Sequence, residues 1–363
     1  MMTKEMEKKR LWIFIAAAYG VTALMSIFMF IGLRGKIDLT NFVNVQMMYP
    51  ACGVILGKIL VKKEGEKLPM VGYITILVTT LLMMIPAILS VFIKLPAITV
   101  TPAQSLDLWN LISQIPLLFG AIIAYIAFWV CGREKADNAG IRRQNIKTSI
   151  LMIVLFVVLY FVRGILAIVV GDALNGNNEG WTQFASGFTN PVMYLTLISL
   201  PFNFFFSWIA FFGEEYGWRY YLQPLMQKKF GLRLGVVLLG LVWGIWHTDV
   251  DFMFYSVKDG PRMLIAQLIT CTMYAIFFGY VYMKTENIWV PTIIHYINNN
   301  LAVVLSGGDV SALQNQSVAW KDLPVHFVIG LIFMLFILAP VYSGKSKGAI
   351  TDTAENGDKD GIV

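Results

Sequence analysis

TSILMIVLFVVLYFVRGILAIVV, residues 148–170, carries a single charged residue, Arg163. A helix in water keeps a polar face, and this stretch has none. Crossing a hydrocarbon core takes about 20 apolar residues in a helix, so this segment decides the class of the fold. Comparable runs occupy 11–33, 72–93, 109–131, 191–212 and 263–283, and shorter or more polar ones 42–61, 234–250, 289–305 and 323–342. The expected fold is all-α, a polytopic transmembrane bundle of about ten helices. In lipid a helix satisfies its own backbone, and the strict alternation of a membrane β-barrel is absent.

Composition agrees. Of the 363 residues, 57% are hydrophobic and 14% charged, where a soluble domain carries about a quarter charged residues. Mean hydropathy is +0.67. The net charge of +6 fits basic loops beside an anionic bilayer surface and requires no nucleic acid. MMTKEMEKKR precedes an apolar run that is longer than a signal-peptide core and has no small-residue cleavage site, so it reads as a retained first helix. Cys52, Cys131 and Cys271 sit in or beside apolar segments, with no disulfide framework or CxxC pair, and read as packing residues.

With the N-terminus inside and ten alternating spans, 19 of the 28 basic residues fall on the inner side. This asymmetry predicts both termini in the cytoplasm. Three divisions are expected: residues 1–145 as about four N-terminal helices without a motif, 146–343 as the functional core, and 344–363 as a polar, disordered cytoplasmic tail. GDALNGNNEGWTQFASGFTN (171–190) reads as an exposed outer loop, and YLQPLMQKKF (221–230) as either an interfacial helix or a plain loop. Compact loops without targeting motifs point to a multi-pass protein of a prokaryotic plasma membrane.

Ionisable residues inside spans are costly and usually face a protein interior or a watery cavity. Here they gather in the second half: Glu214, Glu215 and Arg219 in FFGEEYGWRYYL, His247 in LVWGIWHTDVD, and His295 and Asn299 in WVPTIIHYINNNL. Measured from the nearest inner basic residue at a rise of about 1.5 Å per residue, Glu214 and His247 lie roughly 21 Å deep and His295 roughly 17 Å. Three helices therefore bring polar groups to one level, provided Pro224 and Pro291 leave them unbroken. Glu215 and Arg219 are i,i+4 and share a face, while Glu214 points about 100° away with its charge unmatched. Each group alone has a plain structural reading: a buried ion pair, a satisfied histidine, an interhelical asparagine. Arg163 reads as a snorkelling residue, Asp249 and Asp251 as outer-interface residues, and Asn298 and Asn300 as cap or loop residues off the His295 face.

GEEYGWR fits EExxxR, WGIWH resembles FxxxH with Trp243 in the place of Phe, and HYINN fits Hxxx(Asn/Asp). In this order and spacing the motifs resemble those of the CAAX-protease and bacteriocin-processing (CPBP, or Abi) family of intramembrane proteases, which includes the type II CAAX prenyl endopeptidases. The likeness covers roughly residues 200–305. It implies an intramembrane endopeptidase. Glu214 would activate a water with His247, while His295 and Asn299 would bind the developing oxyanion or complete the site. Glu215, Arg219 and Trp243 would be structural or position the substrate. Gly217, a second departure, is expected to loosen its helix. The motifs leave metal dependence open: either no cofactor, or Zn²⁺ held by Glu214, His247 and His295, although no HExxH is present. The implied partners are a peptide or membrane-protein substrate, prenylated or leader-like, and the lipid bilayer. A non-catalytic membrane regulator or immunity protein is the alternative. A transporter is disfavoured because the polar residues occupy one half of the chain only.

Overall fold

The computed structural model describes residues 3–101, 104–305 and 314–344, and the expected tail, from 345 onward, lies outside them. The chain is an integral, multi-pass helical bundle. Its helices are α1 (Lys4–Arg34), α2 (Thr40–Gln46), α3 (Tyr49–Leu60), α4 (Met70–Phe92), α5 (Leu108–Val130), α6 (Arg133–Ala139), α7 (Ile146–Asn175) and α8 (Glu179–Gly187). They continue as α9 (Pro191–Phe230), α10 (Leu232–Trp246), α11 (Thr248–Tyr255), α12 (Gly260–Thr285), α13 (Trp289–Leu305) and α14 (Asp322–Leu338). A small antiparallel hairpin, Ile98–Thr101 with Gln104–Leu106, interrupts the helices between α4 and α5.

All ten apolar segments are helical, but they are not ten equal spans. Among the described residues seven helices are long and apolar enough to cross a membrane, and eight if α10 and α11, bent by 45° at His247, count as one. α13, at 17 residues, reaches about 26 Å, short of a hydrocarbon core of about 30 Å. The 42–61 run has a turn at Met47 and Met48 between α2 and α3, which together make one of the seven.

The bundle is apolar on its outside. α7 buries Ser149, Met152, Phe156 and Tyr160 on one stripe while Ile150, Leu151, Val154 and Val158 stay exposed. That pattern suits a lipid neighbour, since tails solvate an isoleucine and the stripe is left to pack on protein.

Two readings of connecting segments change. Residues 171–190 are mostly helical: α7 runs to Asn175 and stops at Gly176, whose φ of +65 a glycine adopts without strain. The Asp172 carboxylate then accepts from the Gly180 and Trp181 amides, both at 2.9 Å, and starts α8. Residues 223–230 continue α9 as helix, with Pro224 in the first turn of that segment. Pro291 likewise sits in the first turn of α13, where a missing N–H costs nothing.

At one end of the bundle Arg10 of α1 and Lys58 of α3 both reach the Glu66 carboxylate, each at 2.7 Å. Burial works against the charge on Glu66, yet the two cations hold its carboxyl below the usual range.

Candidate active site

Close helix approaches build the site. Gly213 and Gly217 let α9 lie directly on the α2–α3 break: an added Cβ would stand 2.4 Å from the Met47 carbonyl oxygen at 213 and 2.3 Å from Pro50 Cβ at 217. Gly217 is therefore a packing requirement, and it also lies in a locally widened turn, Tyr216–Leu222. Gly240 and Gly244 do the same for α10 on α12, where a Cβ would meet Thr272 Cα at 2.5 Å and Leu268 Cα at 3.0 Å. Stacking of Phe212 on Trp289, 5.6 Å between centroids, holds α9 against α13. From the N-terminal region, Trp246 Nε1 donates to the Ala18 carbonyl at 2.7 Å and Tyr19 Oη to Val242 at 2.7 Å, so α1 braces α10.

Two π-helical stretches flank the polar residues. Tyr216–Leu222 follows Glu215 within α9, and Asp251–Tyr255 ends α11. Such widened turns are uncommon and concentrate at functional sites.

The indole of Trp243 sits at the centre. Its Nε1 donates to Glu214 Oε2 at 2.8 Å. Its ring centroid lies 5.9 Å from that of His247 and 5.8 Å from that of His295. The Arg219 guanidinium packs 4.2 Å from the same ring and 5.2 Å from that of Phe278. One carboxylate, two imidazoles and one guanidinium, drawn from three helices, thus surround a single side chain.

The adjacent glutamates divide as their angular offset predicts. Glu215 Oε2 pairs with Arg219 Nε at 3.1 Å, an ion pair by distance whose angles fall outside hydrogen-bond geometry, and both side chains are fully buried. Glu215 Oε1 accepts from His295 Nδ1 at 2.8 Å, a contact across 80 positions that no local pattern announces. Glu214 instead faces a cavity of about 480 Å³, together with His247, His295 and Asn299. Glu214 is 2% exposed, His295 5% and His247 8%.

Tautomers follow from the partners. His247 Nδ1 lies 3.0 Å from the Trp243 carbonyl oxygen, which can only accept, so Nδ1 carries the proton and Nε2 keeps its lone pair. His295 Nδ1 likewise donates to Glu215. Asn298 Nδ2 donates to Asn299 Oδ1 at 2.9 Å, leaving the Asn299 amide N–H groups to donate elsewhere.

Several residues stand elsewhere than expected. Asn298 and Asn300 line the cavity rather than capping a loop. Asp249 accepts from Ser26 at 2.8 Å and Gln46 at 3.0 Å, and Asp251 is fully buried, so neither is an interfacial residue. Arg163 lines a second cavity, with its Nε buried. α2 supplies a wall through Thr40, Gln46 and Met47. The one sequence signal for that wall was the run of amides Asn41, Asn44 and Gln46 inside an apolar stretch.

Among the described residues no group of three or more His, Cys, Asp or Glu is placed to hold a metal ion.

Residues 196–301 match the family model described as type II CAAX prenyl endopeptidase Rce1-like. The motif-bearing segment is Rce1-like, as its resemblance to the CPBP family implied. The chain is similar to a protein of Methanococcus maripaludis called CAAX prenyl protease 2, with 26% identity over 115 residues. That alignment covers 31% of this chain and 38% of the relative's length. No solved structure matches. The Rce1-like segment runs from within α9 into α13, and so contains Glu214, His247 and His295; α1 to α8 lie outside it.

Proposed function

We propose that the chain is an intramembrane endopeptidase that hydrolyses a peptide bond of a membrane-associated substrate, with Glu214 as general base. The observation that carries this reading is the common neighbour: Trp243 touches Glu214, His247 and His295 at once.

A water between Glu214 and Nε2 of His247 would meet two acceptors. Both of its O–H bonds would be taken, leaving an oxygen lone pair for the substrate carbonyl. Glu214 takes the proton as the C–O bond forms, and later returns it to the leaving amine as the C–N bond breaks. The oxyanion is met by the Asn299 amide, which Asn298 orients. His295, whose Nδ1–H serves Glu215, lines the cavity beside Asn299 and fixes that wall. Arg219 lies beside the Glu215 carboxylate that His295 binds, so it positions His295 indirectly.

The similarity to a CAAX prenyl protease supports a prenylated peptide as one substrate class, with leader peptides and membrane-protein segments as others. The test is a comparison of membrane and secreted peptides from cells expressing the wild type or Glu214→Gln. New termini seen only with the wild type support the proposal and name the substrate. Identical profiles at equal protein levels would overturn it in favour of a non-catalytic regulator.

A further inference from the structure

The bent span at His247 is held by side chains as well as by its own backbone. In an unbroken helix the Val250 amide serves the Trp246 carbonyl and the His247 amide the Trp243 carbonyl. At the 45° bend between α10 and α11 both carbonyls take side-chain partners. Gln46 Nε2 of α2 donates to the Trp246 carbonyl at 3.2 Å, and the His247 ring Nδ1 donates to the Trp243 carbonyl at 3.0 Å. The His247 amide turns to Gly244, three residues back, at 3.1 Å, and the Val250 amide to Asp249 Oδ1 at 2.9 Å.

Gln46 and Asp249 are also bonded to each other. The two hydrogens of Gln46 Nε2 meet two acceptors, the Trp246 carbonyl and Asp249 Oδ1, the latter at 3.0 Å. Ser26 Oγ of α1 donates to Asp249 Oδ2 at 2.8 Å and ties the pair to the first span. A helix that breaks inside a bundle leaves backbone groups that need partners. Here an amide side chain from another helix and a carboxylate from the turn itself supply them. Gln46 and Ser26 lie outside the Rce1-like segment, so none of its motifs announces this contact.

We infer that Gln46 and Asp249 are positioning residues that act as one splint: they hold the bend at His247, and the bend decides which ring nitrogen carries the proton. The Trp243 carbonyl is open to Nδ1 because the His247 amide bonds elsewhere. Closing the bend into a regular turn returns that carbonyl to the amide. The ring then loses its acceptor for Nδ1–H, and with it the reason for Nε2 to keep a lone pair. The use made of that lone pair rests on the proposed endopeptidase function; the splint itself does not.

The chain has three histidines, so their ring nitrogens can be resolved one by one. The experiment uses the full chain, with isotope-labelled histidine, in phosphatidylcholine bilayers, and reads the ring-nitrogen shifts by solid-state NMR. The wild type should show His247 as the Nδ1–H tautomer. Gln46→Met keeps the side-chain length but has no N–H, and Asp249→Ala has no acceptor. Each should move His247 to the other tautomer or to a mixture, while His326, bonded to Thr270, stays unchanged. Asp249→Asn keeps an oxygen for Gln46 and Val250 and should retain the wild-type signal. Tyr19→Phe removes a different brace of α10, the bond to Val242, and should lower the thermal midpoint without moving His247. With a fluorescent prenylated peptide, Gln46→Met should lower kcat roughly 10- to 100-fold with KM nearly constant, and adding Asp249→Ala should cost little more. An Nδ1–H signal that survives Gln46→Met and Asp249→Ala, in protein whose His326 signal is intact, would overturn the inference. So would losses in kcat that multiply in the double variant. A changed tautomer with undiminished cleavage would keep the splint and remove His247 from the proposed mechanism. A wild type that leaves the peptide uncut would count against the endopeptidase reading, and the NMR would still decide the splint.

Discussion

Two clusters of buried charge differ in what they leave unpaired. Near one end of the bundle, Arg10 and Lys58 close on Glu66 and on two carbonyls: Arg10 Nη2 reaches Val61 at 2.8 Å and Lys58 reaches Asn138 at 2.9 Å. Each cation has both a carboxylate and a neutral acceptor, as a group that only holds helices together requires. In the Rce1-like segment, Glu215 lies at ion-pair distance from Arg219 and accepts from His295, while Glu214 one residue earlier keeps a single neutral donor, Trp243, and faces a cavity. Both clusters are ionic, yet only the second holds a carboxylate with capacity to spare. What marks a site for chemistry is a carboxylate turned to a cavity beside charges that face one another, more than the presence of charge.

The largest expected effect breaks the two neighbouring glutamates apart by activity. Glu214→Gln keeps size and can still accept from Trp243, but it cannot take a proton. Cleavage should fall at least about 1,000-fold, combining the loss of a general base with that of a negative group beside the water. The midpoint of thermal unfolding should stay within a few degrees of wild type. Cleavage retained within a few-fold would remove Glu214 from the mechanism.

Glu215→Gln should do the reverse in kind. It strips the countercharge from Arg219, which is fully buried, and loosens His295. An uncompensated buried charge costs about 3–5 kcal/mol, read as a lower denaturant midpoint in detergent. Unchanged stability would show that Arg219 rests on its aromatic neighbours, Trp243 and Phe278, and not on the carboxylate.

Glu66→Gln sharpens the other side of the comparison. Removing the acceptor shared by Arg10 and Lys58 should destabilise by about 1–3 kcal/mol, less than at Glu215 because carbonyl partners remain for both cations. The folded pKa of Glu66 lies below its unfolded value, so the wild-type advantage is full above the ordinary carboxylate range. It is lost as pH falls through the folded pKa, and the two proteins should converge in stability there while differing at pH 7. A gap that persists in acid would mean the pairing is not the source of the stability.

These contrasts also show what the sequence makes legible. The spans are readable because a hydrocarbon core imposes a length, and 148–170 could be little else. The separate directions of Glu214 and Glu215 follow from 100° per residue. Contacts set by tertiary packing were out of reach: the bond from His295 to Glu215, the wall supplied by α2, and the burial of Asp251 depend on which helix lies beside which. The close packing of Gly217 was hidden for the same reason, since its neighbour Pro50 is distant in sequence. The helix at 179–187 was missed because Gly and Asn predict a break, and one glycine, Gly176, is enough to make it.

The smallest expected effect concerns Trp243, where the motif usually has phenylalanine. Trp243→Phe keeps an aromatic ring beside His247, His295 and Arg219 and removes only the N–H that reaches Glu214 at 2.8 Å. If the ring's packing is what the site needs, the cost is that of one hydrogen bond to a charged acceptor, about 1–2 kcal/mol at most, because a water in the cavity can replace the donor. Cleavage should therefore fall by less than about tenfold, and substrate binding should hold. Trp243→Ala removes ring and donor together and should be far worse, since it leaves Arg219 without its nearest aromatic face and opens a void between three helices. A Phe variant as damaged as the Ala variant would show that the bond to Glu214, and not the shape of the aromatic, holds the carboxylate in place.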